Sequence, residues 1–162
     1  MGIDETIARD EITQLCYRYA WALDSRDLDT LIACFEPGAT TRASWDDALH
    51  GIGVTVLMVG NVLVDFVAAD DARGVVYCVA RVEDPPGSGR IVEQAIAYFD
   101  RYRRGDDGAW RFVGRRHELF WGVEVAERPL DQPAANWPES SSGRGSLPER
   151  LETWQHFWSP RI

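Results

Sequence analysis

Between residues 54 and 125 the chain repeats one pattern: a long apolar-rich run, a short cluster of turn residues, then another run. The first run, 54–66, is nearly continuous in Val and Leu. The run 75–83 follows Asp70-Asp71-Ala72-Arg73-Gly74, and 90–104 follows Pro85-Pro86-Gly87-Ser88-Gly89. The last, 110–125, follows Gly105-Asp106-Asp107-Gly108. Turn-bounded runs of β-branched and aromatic residues read as strands, and successive strands joined by short turns pair antiparallel. These strands are longer than the usual five or six residues or so. Gly60 interrupts the first, so a bulge and a bend are expected there.

A bent sheet must hide one face, and the segment before it supplies the cover. Ile12, Leu15, Cys16, Tyr19 and Leu23 recur at three- and four-residue steps, which makes one stripe of a helix ending near Leu23, with Asp4 or Thr6 as its cap. Asp24-Ser25-Arg26 reads as a tight turn into a second helix over 28–35, stopped by Glu36-Pro37-Gly38. Residues 39–44 read as a short strand, and 45–53 as a helical turn or a loop. The layout is α+β: N-terminal helices packed across a curved, mainly antiparallel sheet that forms a cone with an open mouth. The tail differs. Residues 129–148 are rich in Pro, Ser, Gly and Asn, and 147–158 can form a terminal helix with Leu151, Trp154 and Trp158 on one side. Such a face is expected to dock on its own domain or on a neighbouring subunit. The chain thus divides into a domain over 1–128 and a tail over 129–162.

Composition narrows the chemistry. The net charge of −9, with no basic stripe, argues against nucleic acid as a partner. No run of 18 apolar residues suggests a membrane span, and the first residues do not resemble a secretory signal, so cytoplasm is the expected compartment. Every cationic side chain other than histidine is Arg, since the sequence holds no Lys. That excludes Schiff-base chemistry and a lysine-anchored cofactor. Cys16, Cys34 and Cys78 lie in apolar contexts and read as buried free thiols. His50, His117 and His156 are scattered, without metal-site spacing, so no metal and no cofactor is expected. Gly87-Ser88-Gly89-Arg90 is not followed by a helix, which argues against a nucleotide loop, and no Gly-x-Ser-x-Gly elbow is present.

The candidate site residues are polar groups at the edges of apolar patterns. Asp24 ends the apolar helix, either as a cap for the next helix or as a buried acid/base. Tyr19, about one and a half turns earlier, can donate to a substrate carbonyl. Tyr98, Asp100 and Tyr102 alternate along one strand face. Asp100 is therefore either a pocket acid held by phenols or a partner for a cross-strand Arg. His117, on the last strand with Arg115, titrates near neutrality. Asn61 is expected to face the cavity.

Four words in order carry a resemblance: Arg-Tyr-Ala-Trp-Ala-Leu-Asp-Ser-Arg-Asp (18–27), Val-Gly-Asn-Val-Leu-Val (59–64), Tyr-Phe-Asp-Arg-Tyr (98–102) with Asp-Gly-Ala-Trp-Arg-Phe (107–112), and Arg-Arg-His-Glu-Leu-Phe-Trp-Gly (115–122). The chain resembles the SnoaL-like family of the nuclear-transport-factor-2-like (cystatin-like) superfamily, on the scytalone dehydratase and bile-acid dehydratase branch. The resemblance implies a cofactor-independent dehydratase, isomerase or cyclase with a deep apolar pocket for a small ring-containing metabolite. It implies Tyr19 and Asp24 as the helix-one tyrosine or lysine and the catalytic aspartate, Tyr98 and Asp100 as pocket-facing groups on a central strand, and Arg115 or Arg116 as an arginine of the last strand. Beside these, the catalytic candidates are Asp24, Tyr19, Asp100 and His117, the last as a replacement base from a different strand, and the substrate-binding candidates are Tyr98, Asn61, Arg115, Leu57 and Val59. It also implies a dimer or trimer. Where relatives carry a histidine before the Val-Gly-Asn word, this chain has Leu57 and Met58, and a second histidine position near Arg81 to Glu83 is unfilled. The alternative is a non-catalytic binding protein or structural subunit, as in the small subunits of ring-hydroxylating dioxygenases.

Overall fold

The computed structural model describes residues 3–136 and 138–160. Residues 1, 2, 137, 161 and 162 lie outside the described residues, and with them the outer ends of both expected regions.

Helix α1 spans Ile3–Ser25 and buries Ile12, Leu15, Cys16, Tyr19 and Leu23, the stripe read from the sequence, together with Ala8. It starts earlier than expected. Asp4 sits inside its first turn, where a carboxylate favours the helix dipole, and Thr6 lies inside the helix, so neither precedes it as a cap. At the other end Arg26 N donates to Leu23 O (3.2 Å) and Asp27 N to Ala22 O (2.9 Å). This double closure is the Schellman pattern, and it puts Arg26 at φ +59°. Glycine is the usual occupant there, because a side chain in that conformation costs about 1 kcal/mol.

Helix α2, Leu28–Ala33, is capped by Asp27, whose carboxylate accepts from Thr30 N at 3.1 Å. It ends before Phe35, because that stretch is drawn into a parallel bridge with the last strand: Phe112 N donates to Cys34 O at 2.8 Å and Glu36 N to Phe112 O at 2.9 Å. The expected strand at 39–44 is not formed. Helix α3, Arg42–His50, takes the second half of that stretch and most of the ambiguous one. Thr41 caps it through Ser44 N, and Leu49 is buried while Trp45 packs on the core. Two consecutive threonines favour a strand locally, but the cap and the apolar face of the helix decide the outcome.

Strands β1 (Thr55–Ala68), β2 (Asp71–Glu83), β3 (Ile91–Arg104) and β4 (Trp110–Glu124) form one antiparallel sheet in the order β1-β2-β3-β4. The four strands pair antiparallel throughout, and Phe35 adds a parallel bridge to Phe112 of β4. The first hairpin is tighter than expected: β2 begins at Asp71 and pairs on both sides. The register shifts between Val59 and Val62, at the expected Gly60 bulge, and again at Val113 and Phe120 of β4. Each bulge leaves a residue unpaired and bends the strand. The sheet therefore curls around α1, with Val76, Cys78, Ile96, Tyr98, Tyr102 and Phe112 on its inner side.

The described part of the tail holds a 3-10 turn, Pro129–Asp131, and helix α4, Glu152–Phe157, shorter than the 147–158 expected. Helix α4 docks on its own chain. Thr153 Oγ1 donates to Ser25 O at 2.8 Å, and the Phe157 ring stacks on His50 at 4.1 Å.

Candidate functional site

The inner side of the cone is organised around a buried ion pair. Arg115 and Asp100 face each other across β3 and β4, and both side chains are almost fully buried. The pair is bidentate: Arg115 Nε to Asp100 Oδ1 at 2.8 Å and Nη2 to Oδ2 at 2.7 Å. Tyr102 adds its phenol to Asp100 Oδ2 at 2.8 Å. The guanidinium lies 4.4 Å from the centre of the Tyr19 ring, 4.1 Å from Tyr98 and 4.2 Å from Phe112, a three-ring cage for the cation. Burial alone would pull the Arg115 guanidinium down, but the Asp100 hydrogen bonds and charge override it and hold the cation above its ordinary pKa.

Both readings of Asp100 meet here: it is on the inner face beside phenols, and it is spent on a cross-strand Arg. Both of its oxygens are engaged, Oδ1 by Arg115 Nε and Oδ2 by Arg115 Nη2 and the Tyr102 phenol. Arg115, for its part, already has its counter-ion.

Asp24 is placed differently. Asp27, not Asp24, caps α2. The Asp24 carboxylate instead reaches β1, accepting from Thr55 Oγ1 at 2.8 Å and from Leu57 N at 2.9 Å. Because β1 is an edge strand, this amide has no strand partner on that side. Asp24 is partly buried. Burial raises its pKa from 3.8 to about 6, against the pull of Leu57 N, Thr55 and the Arg26 charge. Such a carboxylate is mostly ionised at pH 7 yet close enough to neutrality to hold a proton during a reaction.

The phenols of Tyr19 and Tyr98 are buried, and burial raises both above the usual phenol value, so they are neutral donors. The Cys78 thiol is buried on the inner side of β2, and burial pushes it up to about 11. Leu57 and Val59 pack on the core from β1. Asn61 does not face inward. The Gly60 bulge resets the alternation so that Val62 and Val64 turn to the core, and Asn61 is exposed.

His117 pairs with Tyr98, and their rings are 5.4 Å apart, but it is exposed, midway along β4. Burial and then Arg115 lower its pKa, so it is neutral at pH 7. It is not beside Asp24. Leu57 pairs with Ala80 and Ala80 with Gln94, whereas His117 pairs with Tyr98. The two sites lie on opposite edges of the sheet, about 14 Å across the strands and about 13 Å along them before curvature.

Two contributors escaped the sequence reading. Arg26 is buried and donates to Leu23 O (2.6 Å), Thr55 Oγ1 (3.1 Å) and Gly53 O. Thr55 joins it to Asp24. The one local signal was an arginine where a helix stop favours glycine. Among the described residues no three His, Cys, Asp or Glu side chains are grouped as a metal would require, and no helix is long and apolar enough to cross a membrane.

A helix with an acid at its inner end, wrapped by an open curved antiparallel sheet, is the α+β architecture of nuclear-transport-factor-2-like domains. The chain belongs to the SnoaL-like family, whose domain model matches residues 4–116. No curated protein matches the sequence. Solved structures of the same fold include a scytalone dehydratase-like protein from Novosphingobium aromaticivorans, at 21% identity and a TM-score of 0.66, covering 79% of this chain and 94% of that one. The hexachlorocyclohexane dehydrochlorinase LinA-type3 from Novosphingobium barchaimii is similar at 17% identity and 0.66, covering 76% and 94%. ActVI-ORFA from Streptomyces coelicolor follows at 17% and 0.56, covering 71% and 96%.

Proposed function

We propose that the protein is a cofactor-independent acid/base enzyme in which Asp24 is the sole proton-transfer group, acting on a small apolar ring-containing metabolite. One observation carries this reading: a carboxylate raised to about 6, released from capping duty and fixed by two donors at the inner edge of the cone. With Asp100 tied to Arg115 and His117 at the far edge, the chemistry that fits is one-base chemistry. Asp24 takes a proton from carbon next to a carbonyl, and its protonated form returns that proton elsewhere on the substrate or a leaving group departs. Isomerisation and elimination both meet this description. Tyr98, and Tyr19 behind it, supply neutral phenols that polarise the carbonyl. Leu57 and Val59 supply apolar walls.

A second reading has its own support. The centre of the sheet is filled by Tyr19, Phe35 and Phe112 around the Arg115–Asp100 pair, as a non-catalytic binding protein or structural subunit would have it. Turnover of a panel of cyclic ketones and halogenated rings, with thermal shifts read in parallel, separates the two. Loss of turnover in Asp24→Asn supports the enzyme. Ligand shifts in both proteins with turnover in neither sink it.

Self-association belongs to the same proposal. The outer sheet face exposes Val56, Met58, Leu63, Tyr77, Phe99 and Trp121, apolar side chains that a second copy would cover. Light scattering of the purified chain reads the state directly, and a monomer at micromolar concentration removes this part.

A further inference from the structure

Arg26 carries a backbone cost that a glycine would avoid, and its side chain is among the most completely buried in the molecule. An outlier of this kind asks what the side chain does. One of its nitrogens, Nη1, donates to Thr55 Oγ1 at 3.1 Å, and that hydroxyl in turn donates to Asp24 Oδ1 at 2.8 Å. With its oxygen taken by Arg26, the threonine hydroxyl has its proton free to point at the carboxylate. Behind the guanidinium lies the tail. Its carbon is 4.8 Å from the centre of the Trp154 ring and 5.9 Å from that of Phe157. Thr153 anchors the same turn through Ser25 O.

We propose that Arg26 and Thr55 are positioning residues for Asp24, and that helix α4 holds Arg26 in that role through its aromatic face. This rests on the reading of Asp24 as the proton-transfer group, and it names what sets that group. The tail then forms part of the active-site framework, although it lies beyond residues 4–116 matched by the family model. The relay favours the ionised form of Asp24, since a hydrogen bond and a nearby cation both stabilise charge. It opposes the desolvation that favours the neutral form. The charged and titratable groups around it are few. Arg26 faces Asp24 from the turn and the Cys78 thiol faces it from β2. Asp27, Asp29, Arg42, Asp46 and His156 line the groove of about 740 Å³ that opens beside Arg26, with Arg42 paired to Asp29.

The test reads the Asp24 carboxyl itself, by carbon-detected NMR titration of the full chain labelled at aspartate. Thr55→Val removes the hydroxyl at constant shape, and is expected to make Asp24 about a tenfold weaker acid. Thr55→Ser keeps the hydroxyl and is expected to titrate as the parent does. Trp154→Leu, remote from Asp24, removes the ring face and is expected to move the titration in the same direction as Thr55→Val. An unchanged titration in either Thr55→Val or Trp154→Leu overturns the proposal, as does a Thr55→Ser variant that behaves like Thr55→Val. Should Thr55→Val not fold, Trp154→Leu and Thr55→Ser decide by the same criteria. No turnover enters this measurement, so a protein without enzymatic activity still answers it. The enzyme reading itself falls or stands on Asp24→Asn turnover.

Discussion

Replacing Asp24 by asparagine is expected to stabilise the protein at neutral pH while abolishing its chemistry. The sign follows from linkage. The folded-state pKa of about 6 lies above the value of 3.8 for a free side chain, so the folded protein binds this proton more tightly than the unfolded chain does. Asp24 therefore costs stability above about pH 6, and the cost fades as pH falls toward 3.8. Two pKa units correspond to about 3 kcal/mol. Partial solvent access and a compact denatured chain bring this to about 2 kcal/mol. The amide keeps the Leu57 bond through its oxygen, and its NH2 can donate to the second lone pair of Thr55 Oγ1, the first being held by Arg26, with the hydroxyl proton turned away. Urea unfolding of both proteins at pH 8, 6.5, 5 and 4 measures the effect. The Asp24→Asn variant should be more stable by about 2 kcal/mol at pH 8 and indistinguishable near pH 4. A variant that is less stable at pH 8, or whose difference does not change with pH, would refute the argument. Asp24 would then be an anchor for the β1 edge rather than a strained group kept for its chemistry.

Other outcomes follow from the same geometry. Arg115→Met strands a buried carboxylate and should cost about 3–5 kcal/mol in urea unfolding, and adding Asp100→Leu should recover part of it. His117→Ala should lower turnover by less than about tenfold, whereas Asp24→Asn should lower it by more than about a hundredfold; equal losses would restore His117 as a proton partner. Asn61→Ala should change stability by no more than about 0.5 kcal/mol and leave the Michaelis constant unchanged, because the residue is exposed in a bulge.

Much of this was legible in local pattern. The alternation of Tyr98, Asp100 and Tyr102 put all three on one face, and they lie together on the inner side. The helical stripe from Ile12 to Leu23 named the buried face of α1, and Gly60 marked its bulge. What failed did so for reasons of range. Thr40 and Thr41 favour a strand in isolation, yet Thr41 caps a helix whose Leu49 is buried in the distant core. Asn61 was expected to face the cavity, but it sits in the Gly60 bulge, where the extra residue turns Val62 and Val64 to the core and leaves Asn61 exposed. His117 lay on the inner side as alternation allowed, but nothing in its neighbours along the chain says that the helices stop short of it.

The sequence alone determined the elements: short-range periodicity and turn chemistry act between residues a few positions apart, so strands, turns, the long helix and the family could be read directly. Tertiary structure decided which charge meets which. Asp100 finds Arg115 only because the Val113 bulge sets the register of β4 against β3. Asp24 reaches Thr55 and Leu57 only because α1 lies against the edge of the sheet, and Arg26 meets Trp154 across more than a hundred residues of chain. Electrostatic partners are chosen by distance in space after the backbone has folded, and no local pattern encodes that distance.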